Sequence, residues 1–400
     1  GASAAGQAAL LGPGIGLMVV GVFGGILIVL WRRRVVKAAH LLALTAQSVK
    51  SNRAVLTASF FFQFAAVMLS ALVVTLTCLA LAASSHLVRN PDILPGAEGV
   101  QGDHCVGHPT VCDGAPGSKG RECHEDPSQL VTLPCCAARV SGLGISYAVF
   151  SLLFMFWGTS LLFTLKQFTI SGTVAQWYFS PVGSSTSGNL MRSLRHGLGP
   201  QIGTLAFAAA VKNALDTVRS FARRSRPHDG AFNVLSVLYC LFRAFIEMAA
   251  ELLEVLTDYA VVYSSMSGQA LVDSGRYVAQ IGRRHFGDAL AMWAFPGTML
   301  GALVLFLALV WTTVMGVTTW LLCVGDPRQG AATGAMSAGV FSISYVILSF
   351  FSGVLLDSTK AVFVCYVLDK DQHQICRSDV HEAFSAVPLG KSGKGVGGSA

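Results

Sequence analysis

The run from Phe154 to Pro181 is long and apolar enough to cross a bilayer, yet it carries Lys166 and Gln167 near its middle. Small residues Ser171, Gly172, Thr173 and Ala175 follow in its second half. An ionisable side chain is costly in hydrocarbon and faces a bundle interior or a polar path, and small residues let a second helix approach closely. This segment must therefore fold as a helix that hides one polar face among other helices.

The rest of the chain supplies those partners. Hydrophobic residues make up 53% of the 400 and charged residues 12%, against roughly 25% charged in soluble domains. Mean hydropathy is +0.59. The net charge of +7 lies largely in short clusters beside apolar runs, where it sets topology rather than binding nucleic acid.

Seven apolar runs read as membrane spans: about 10–31, 55–81, 142–178, 200–218, 232–262, 291–323 and 334–368. Trp31, Arg32, Arg33 and Arg34 close the first as an interfacial basic stop, placing that end in the cytoplasm. Residues 35–53 have helical apolar spacing and read as a cytoplasmic helix along the membrane. The third run exceeds one bilayer thickness and is expected to bend near Gly158 or Gly172. Arg219, Arg223, Arg224 and Arg226 fall where span parity gives an outer loop but the positive-inside rule an inner one.

The expected fold is an all-α integral membrane protein, a polytopic bundle of about seven transmembrane helices with one cysteine-containing outer loop. Its parts are residues 1–83, two spans with a linker helix; 84–139, the extracytoplasmic loop; 140–370, a core of about five spans; and 371–400, a cytoplasmic tail ending in a low-complexity run. The first residues, small and polar with no initiator methionine, read as those of a fragment or processed product.

The loop holds Cys105, Cys112, Cys123, Cys135 and Cys136. Cysteines crowded into a polar outer loop point to disulfides, although five is odd and leaves one thiol free or paired elsewhere. His104, His108 and His124 keep a zinc site open, but the spacings follow no regular zinc pattern, and no metal or cofactor is expected.

Within the fifth run, Glu247, Glu251, Glu254 and Asp258 recur at helical spacing and form an acidic stripe. Either Arg243 or Lys212 neutralises it, or it attracts a cationic substrate. Lys212 and Asp216 stand four residues apart and could pair along one helix. Gly390-Lys391-Ser392 ends like a phosphate-binding loop but lacks the earlier glycine and the leading strand. Nothing places a nucleophile beside a base, so the chain reads as a non-enzyme.

Four blocks in order resemble the choline transporter-like family, solute carrier family 44. They are Trp31 to Ala38; Trp157, Gln167, Gly172, Ala175, Trp177-Tyr178 and Pro181; Ser193 to His196 with Gly203 to Phe207; and Asp357 with Ala361 to Tyr366, then Asp369 and Asp371. The resemblance implies a helical carrier of choline and ethanolamine compounds with cytoplasmic termini, in a plasma or organelle membrane. Family members carry further spans and a large outer loop ahead of the region resembling residues 10–31, so a chain lacking that front end is implied.

A choline site needs aromatic faces for the quaternary ammonium and one polar group for the hydroxyl. Trp157, Trp177, Tyr178, Tyr259 and Tyr263 are candidates for the cage, Gln167 for the hydroxyl, and the acids of the fifth run, Glu247, Glu251, Glu254 and Asp258, for long-range attraction, with Asp357 a further binding candidate. Lys166 opposes a nearby cation unless Glu247 or Asp357 neutralises it. The bilayer and a small cation are the expected partners. The rival reading is a non-transporting scaffold among other membrane subunits, and a third is a carrier of an anionic solute using Lys166 and Lys212.

Overall fold

The computed structural model describes residues 42–89, 123–126, 129–133, 136–181, 188–224, 234–284, 286–323 and 329–385. The run at 10–31, the arginines at 32–34, Cys105, Cys112, Cys135 and the glycine-rich tail lie outside the described residues. The chain forms two compact units, Phe64–Thr159 and a larger one comprising the residues before and after it.

Helical residues 42–51 (α1) precede α2 (Ala54–Ser84), whose 31 residues contain neither Gly nor Pro. At about 1.5 Å per residue it exceeds the ~30 Å hydrocarbon layer. The smaller unit contains the end of α2 and strands β1 (Ser85–Arg89), β2 (Cys123–Asp126), β3 (Gln129–Leu133) and β4 (Cys136–Val140). It also contains the start of α3 (Gly142–Phe179).

β1 pairs antiparallel with β4 from Ser85 opposite Val140 to Arg89 opposite Cys136, and β2 pairs with β3. The membrane part is helical, as expected; these two short antiparallel pairs lie in the stretch between α2 and α3, where no strand was expected. Short strand-forming segments such as Leu130-Val131-Thr132-Leu133 were hidden by the Gly, Pro and charge that dominate the loop. Cys123 opens β2 and Cys136 opens β4.

Gly158 allows α2 and α3 to approach, because a Cβ there would stand 2.9 Å from Leu69 Cδ2. Phe64, Met68, Leu72, Phe150, Leu153 and Phe156 remain exposed, as side chains dissolved in lipid are.

In the larger unit α3 continues unbroken past Gly172. From Thr164 to Tyr178 it is buried on almost every side, which marks a core helix rather than a lipid-facing one. It is surrounded by α4 (Asn189–Leu198), α5 (Ile202–Arg224), α6 (Val234–Ser267), α7 (Leu271–Arg284), α9 (Gln329–Asp371) and α10 (Ser378–Ser385). α8 (Phe286–Leu322) packs along α9.

One apolar cluster joins Ile170, Val174 and Tyr178 of α3 to Val262, Val354, Val362, Cys365 and Val380. A second joins Leu165 and Phe168 to Leu205, Ala208, Val261 and Leu271. Each fully buried large side chain contributes about 1.5–3 kcal/mol relative to water. A Cβ on Gly172 would stand 2.8 Å from Ser193 Oγ, so this glycine seats α4 against α3. Gly268, at φ 72, ends α6 with its N–H donating to the Ser264 carbonyl.

Among the described residues four helices are long and apolar enough to cross a membrane: Ala54–Ser84, Gly142–Phe179, Gly297–Leu322 and Gln329–Asp371. The runs expected at 200–218 and 232–262 do form helices α5 and α6, but charge interrupts them. Lys212, Asp216 and Arg219 stud the first, and five charged residues from Arg243 to Asp258 stud the second.

Candidate functional site

Three of the four acids in the stripe of α6 meet cations. Glu247 accepts from Arg243 at 3.1 Å one turn earlier on the same helix. Glu254 pairs with Arg219 of α5, and Glu251 is exposed. Asp258 lies deepest and takes two partners: Lys212 of α5 at 2.6 Å from Oδ1, and Lys360 of α9 on Oδ2.

Lys212 thus reaches across to α6 rather than to Asp216, which stands 3.8 Å from Arg219 instead. The partly enclosed Asp258 carboxylate attracts the ammonium more strongly than the solvated Asp216 does, since solvent screens the latter.

Gln167 closes the arrangement from α3. Its Oε1 accepts from Lys212 Nζ at 3.1 Å and its Nε2 donates to the Asp258 carbonyl at 3.3 Å. On the same turn of α3, Lys166 pairs with Asp357 of α9 at 3.4 Å and lies 5.7 Å from the Phe163 ring centre. Asp357 stands three residues before Lys360, so a polar seam of alternating sign runs through α3, α9, α6 and α5. Its ionic members are 13–20% exposed, open enough for water and enclosed enough for one charge to govern the next.

A second polar centre lies at the far ends of α3 and α9. Tyr178 donates to Asp369 Oδ2 at 2.9 Å, the Cys376 backbone N–H donates to the same oxygen at 3.0 Å, and His381 Nε2 stands 3.4 Å from it. The Arg377 guanidinium covers the Trp177 ring at 4.2 Å and donates to the Trp177 carbonyl at 3.1 Å. Residues 376–381 therefore fold back as a hook that ties α10 to both long helices. Beyond the spans, partial desolvation and the neighbouring Asp369 carboxylate raise the Cys376 thiol above its ordinary range.

The expected site residues are distributed over these places. Gln167 and Asp357 are in the seam; Tyr259, buried beside Lys360, meets Phe363 edge-on at 6.0 Å. Trp177 and Tyr178 belong to the hook. Tyr263 stacks on Tyr277 at 4.6 Å. Trp157 belongs to the smaller unit, its ring 6.3 Å from Phe154. Glu247 sits with Arg243, well up α6 from Asp258.

Sequence reading took Asp258 only as one acid of the attracting stripe and did not select Lys360, Asp369 or Arg377 as site residues. Asp258 and Lys360 could be suspected from charge inside long apolar runs. The hook had no comparable signal, because a short polar segment after a span reads as a solvated tail. No group of three or more His, Cys, Asp or Glu able to hold a metal occurs among the described residues. Cys78, Cys240, Cys323, Cys365 and Cys376 are free thiols.

Long apolar helices around a charged seam define an integral membrane protein of multi-helix type. The chain belongs to the plasma-membrane choline transporter family, whose profile matches residues 15–371. Two CTL-like proteins of Dictyostelium discoideum are similar to it. One is 27% identical over 239 residues, covering 57% of this chain and 42% of the relative. The other is 22% identical over 245 residues, covering 60% and 41%. The chain spans less than half the length of these curated relatives.

Proposed function

We propose that this protein carries choline or an ethanolamine-type cation across its membrane by facilitated transport or exchange, with Asp258 at the centre of the path. The observation that carries this reading is a carboxylate enclosed by α3, α5, α6 and α9 within a chain of this family. A charge held inside a membrane bundle marks a pathway.

In the arrangement seen here both carboxylates are held by lysines, so a cation gains one only as an ammonium moves off. Gln167 already accepts from Lys212 and gives that ammonium a place to rest while the Asp258 carboxylate turns to substrate. Asp357 neutralises Lys166 in the same way. Trp177 and Tyr178 become available to an ammonium only when the hook lifts, because Arg377 occupies the Trp177 face.

The C-terminus is assigned to the cytoplasm. Arg192 and Arg195 of α4 and Arg276, Arg283 and Arg284 of α7 support that side. The cysteines of the outer loop are assigned to disulfides, which non-reducing peptide mapping would reveal.

Uptake of labelled choline and ethanolamine into proteoliposomes tests the reading. Asp258→Asn and Gln167→Ala abolish or strongly reduce uptake if the seam is the path; undiminished uptake in both would remove it. Trp157→Ala reports separately on the aromatic cage. A second reading, a non-transporting scaffold in a larger membrane complex, is favoured by the lysines that already neutralise both carboxylates. Absence of uptake and of any choline-induced thermal shift, with stability regained on adding co-purifying membrane subunits, would favour it.

A further inference from the structure

Four arginines fall within eight residues where α5 ends: Arg219, Arg223, Arg224 and Arg226. Arg219 is answered by Glu254 of α6, and Arg243, on the facing helix, by Glu247. With those pairs set aside, residues 220–242 hold Arg223, Arg224 and Arg226 against Asp229, three positive charges less one, a surplus of +2. Arg223 and Arg224 are the last two residues of α5, so the surplus stands at that end of the helix pair. Glu251 lies about two turns along α6 from Arg243 and does not line the groove described next.

The turn of α5 just before these arginines helps to form a groove. A cavity of about 340 Å³ lies between α5 and α6, walled by Val218, Phe221 and Ala222 on one side and Phe242 and Ile246 on the other. Its size falls at the lower end of small-ligand pockets, about 300–1,000 Å³. Thr217 and Arg243 are the polar side chains that reach it, and the Arg243 charge is met by Glu247. Phe221 is 73% exposed and Phe242 62%, so the walls present aromatic surface outward. Neither helix is among those apolar enough to cross a membrane alone. An apolar groove on otherwise charged helices suits an element seated at the membrane boundary.

We infer that this groove holds an acyl chain of an anionic phospholipid, with the phosphate headgroup at the arginine end of α5. A neutral, apolar slot running up to a positive surplus matches an amphiphile with an apolar tail and a negative head. A zwitterionic lipid satisfies the slot but not the surplus, and a free phosphate ester satisfies the surplus but not the slot. A second copy meeting this face symmetrically brings its own +2 against the first, so repulsion disfavours it. The site stands apart from transport, since none of its residues belongs to the seam.

The test is lipid binding to the whole protein in detergent, read by native mass spectrometry and by thermal unfolding. Dioleoyl phosphatidylglycerol, dioleoyl phosphatidylcholine and glycerophosphate are titrated separately. Phosphatidylglycerol is retained and raises the unfolding midpoint saturably; phosphatidylcholine binds about tenfold more weakly, and glycerophosphate has no effect. Replacing Arg223→Gln together with Arg224→Gln removes most of the preference between the two lipids, at about fivefold per arginine, and added salt narrows it in the native protein. Ala222→Trp fills the slot and weakens both lipids together. Should that variant fold poorly, Phe242→Ala gives the same readout, because Phe242 is largely exposed and its loss leaves no core cavity.

Equal affinity for the two phospholipids in the native protein overturns the inference, as does a preference that survives loss of both arginines. Lipid binding unmoved by the groove variants, or a saturable response to glycerophosphate, overturns it too. A concentration-dependent dimer that excludes lipid would assign the face to a second copy instead.

Discussion

Replacing Asp258 by Asn removes one charge while preserving shape, so no cavity term enters. Lys212 Nζ stands 2.6 Å from Oδ1 and Lys360 holds the other oxygen. At an effective dielectric of about 20 the first contact alone corresponds to roughly 6 kcal/mol of attraction. The carboxylate's 19% exposure and the mutual repulsion of the two lysines reduce the net value. Breaking an enclosed pair by removing one partner costs about 3–5 kcal/mol, since the remaining charge stays enclosed and uncompensated.

Asp258→Asn is therefore expected to destabilise the protein by about 3–5 kcal/mol in SDS-induced unfolding from mixed micelles, followed by tryptophan fluorescence. The double change Asp258→Asn with Lys360→Met restores the seam's original net charge. It should recover at least about 1.5 kcal/mol relative to the sum of the single losses. A loss below about 1 kcal/mol for the single change, or strict additivity in the cycle, would refute the idea that Asp258 holds the two lysines together.

Gly172→Val should cost at least about 2 kcal/mol in the same assay, because a Cβ 2.8 Å from Ser193 Oγ forces α4 away from α3; a neutral result would sink that reading. Asp369→Asn weakens the acceptor shared by Tyr178, Cys376 and His381, and should speed amide exchange of residues 377–385 while leaving α5 unchanged. Arg377→Ala uncovers the Trp177 face, and choline then quenches tryptophan fluorescence at lower concentration than in the native protein; unchanged quenching would detach Trp177 from the cation path. The raised Cys376 thiol predicts a maleimide-reaction profile displaced to higher pH, since less thiolate exists at any given pH. Asp369→Asn should move that profile back towards an ordinary thiol, read by mass spectrometry of the Cys376 peptide.

Much of the seam was legible in part. The spacing of Glu247, Glu251, Glu254 and Asp258 announced a helical stripe needing cations, and Arg243 and Lys212 are indeed among its partners. Asp357 was one of two acids expected to neutralise Lys166. Lys360 stands out as a charge in the seventh run, but its partner was not legible because that carboxylate is 102 residues away in sequence. The strands of the loop escaped because two-stranded pairing depends on segments separated by a long stretch of turn-forming residues.

What the sequence determined by itself is the class: runs of apolar residues longer than a bilayer is thick have no stable solution in water, and a helix satisfies its backbone within lipid. It also determined that Lys166 and Gln167 must face other helices or a polar path rather than lipid. Tertiary structure alone decided which charge meets which. In an enclosed, weakly screened space the nearest opposite charge takes precedence, and nearness there is set by the packing of α3, α5, α6 and α9 rather than by position along the chain.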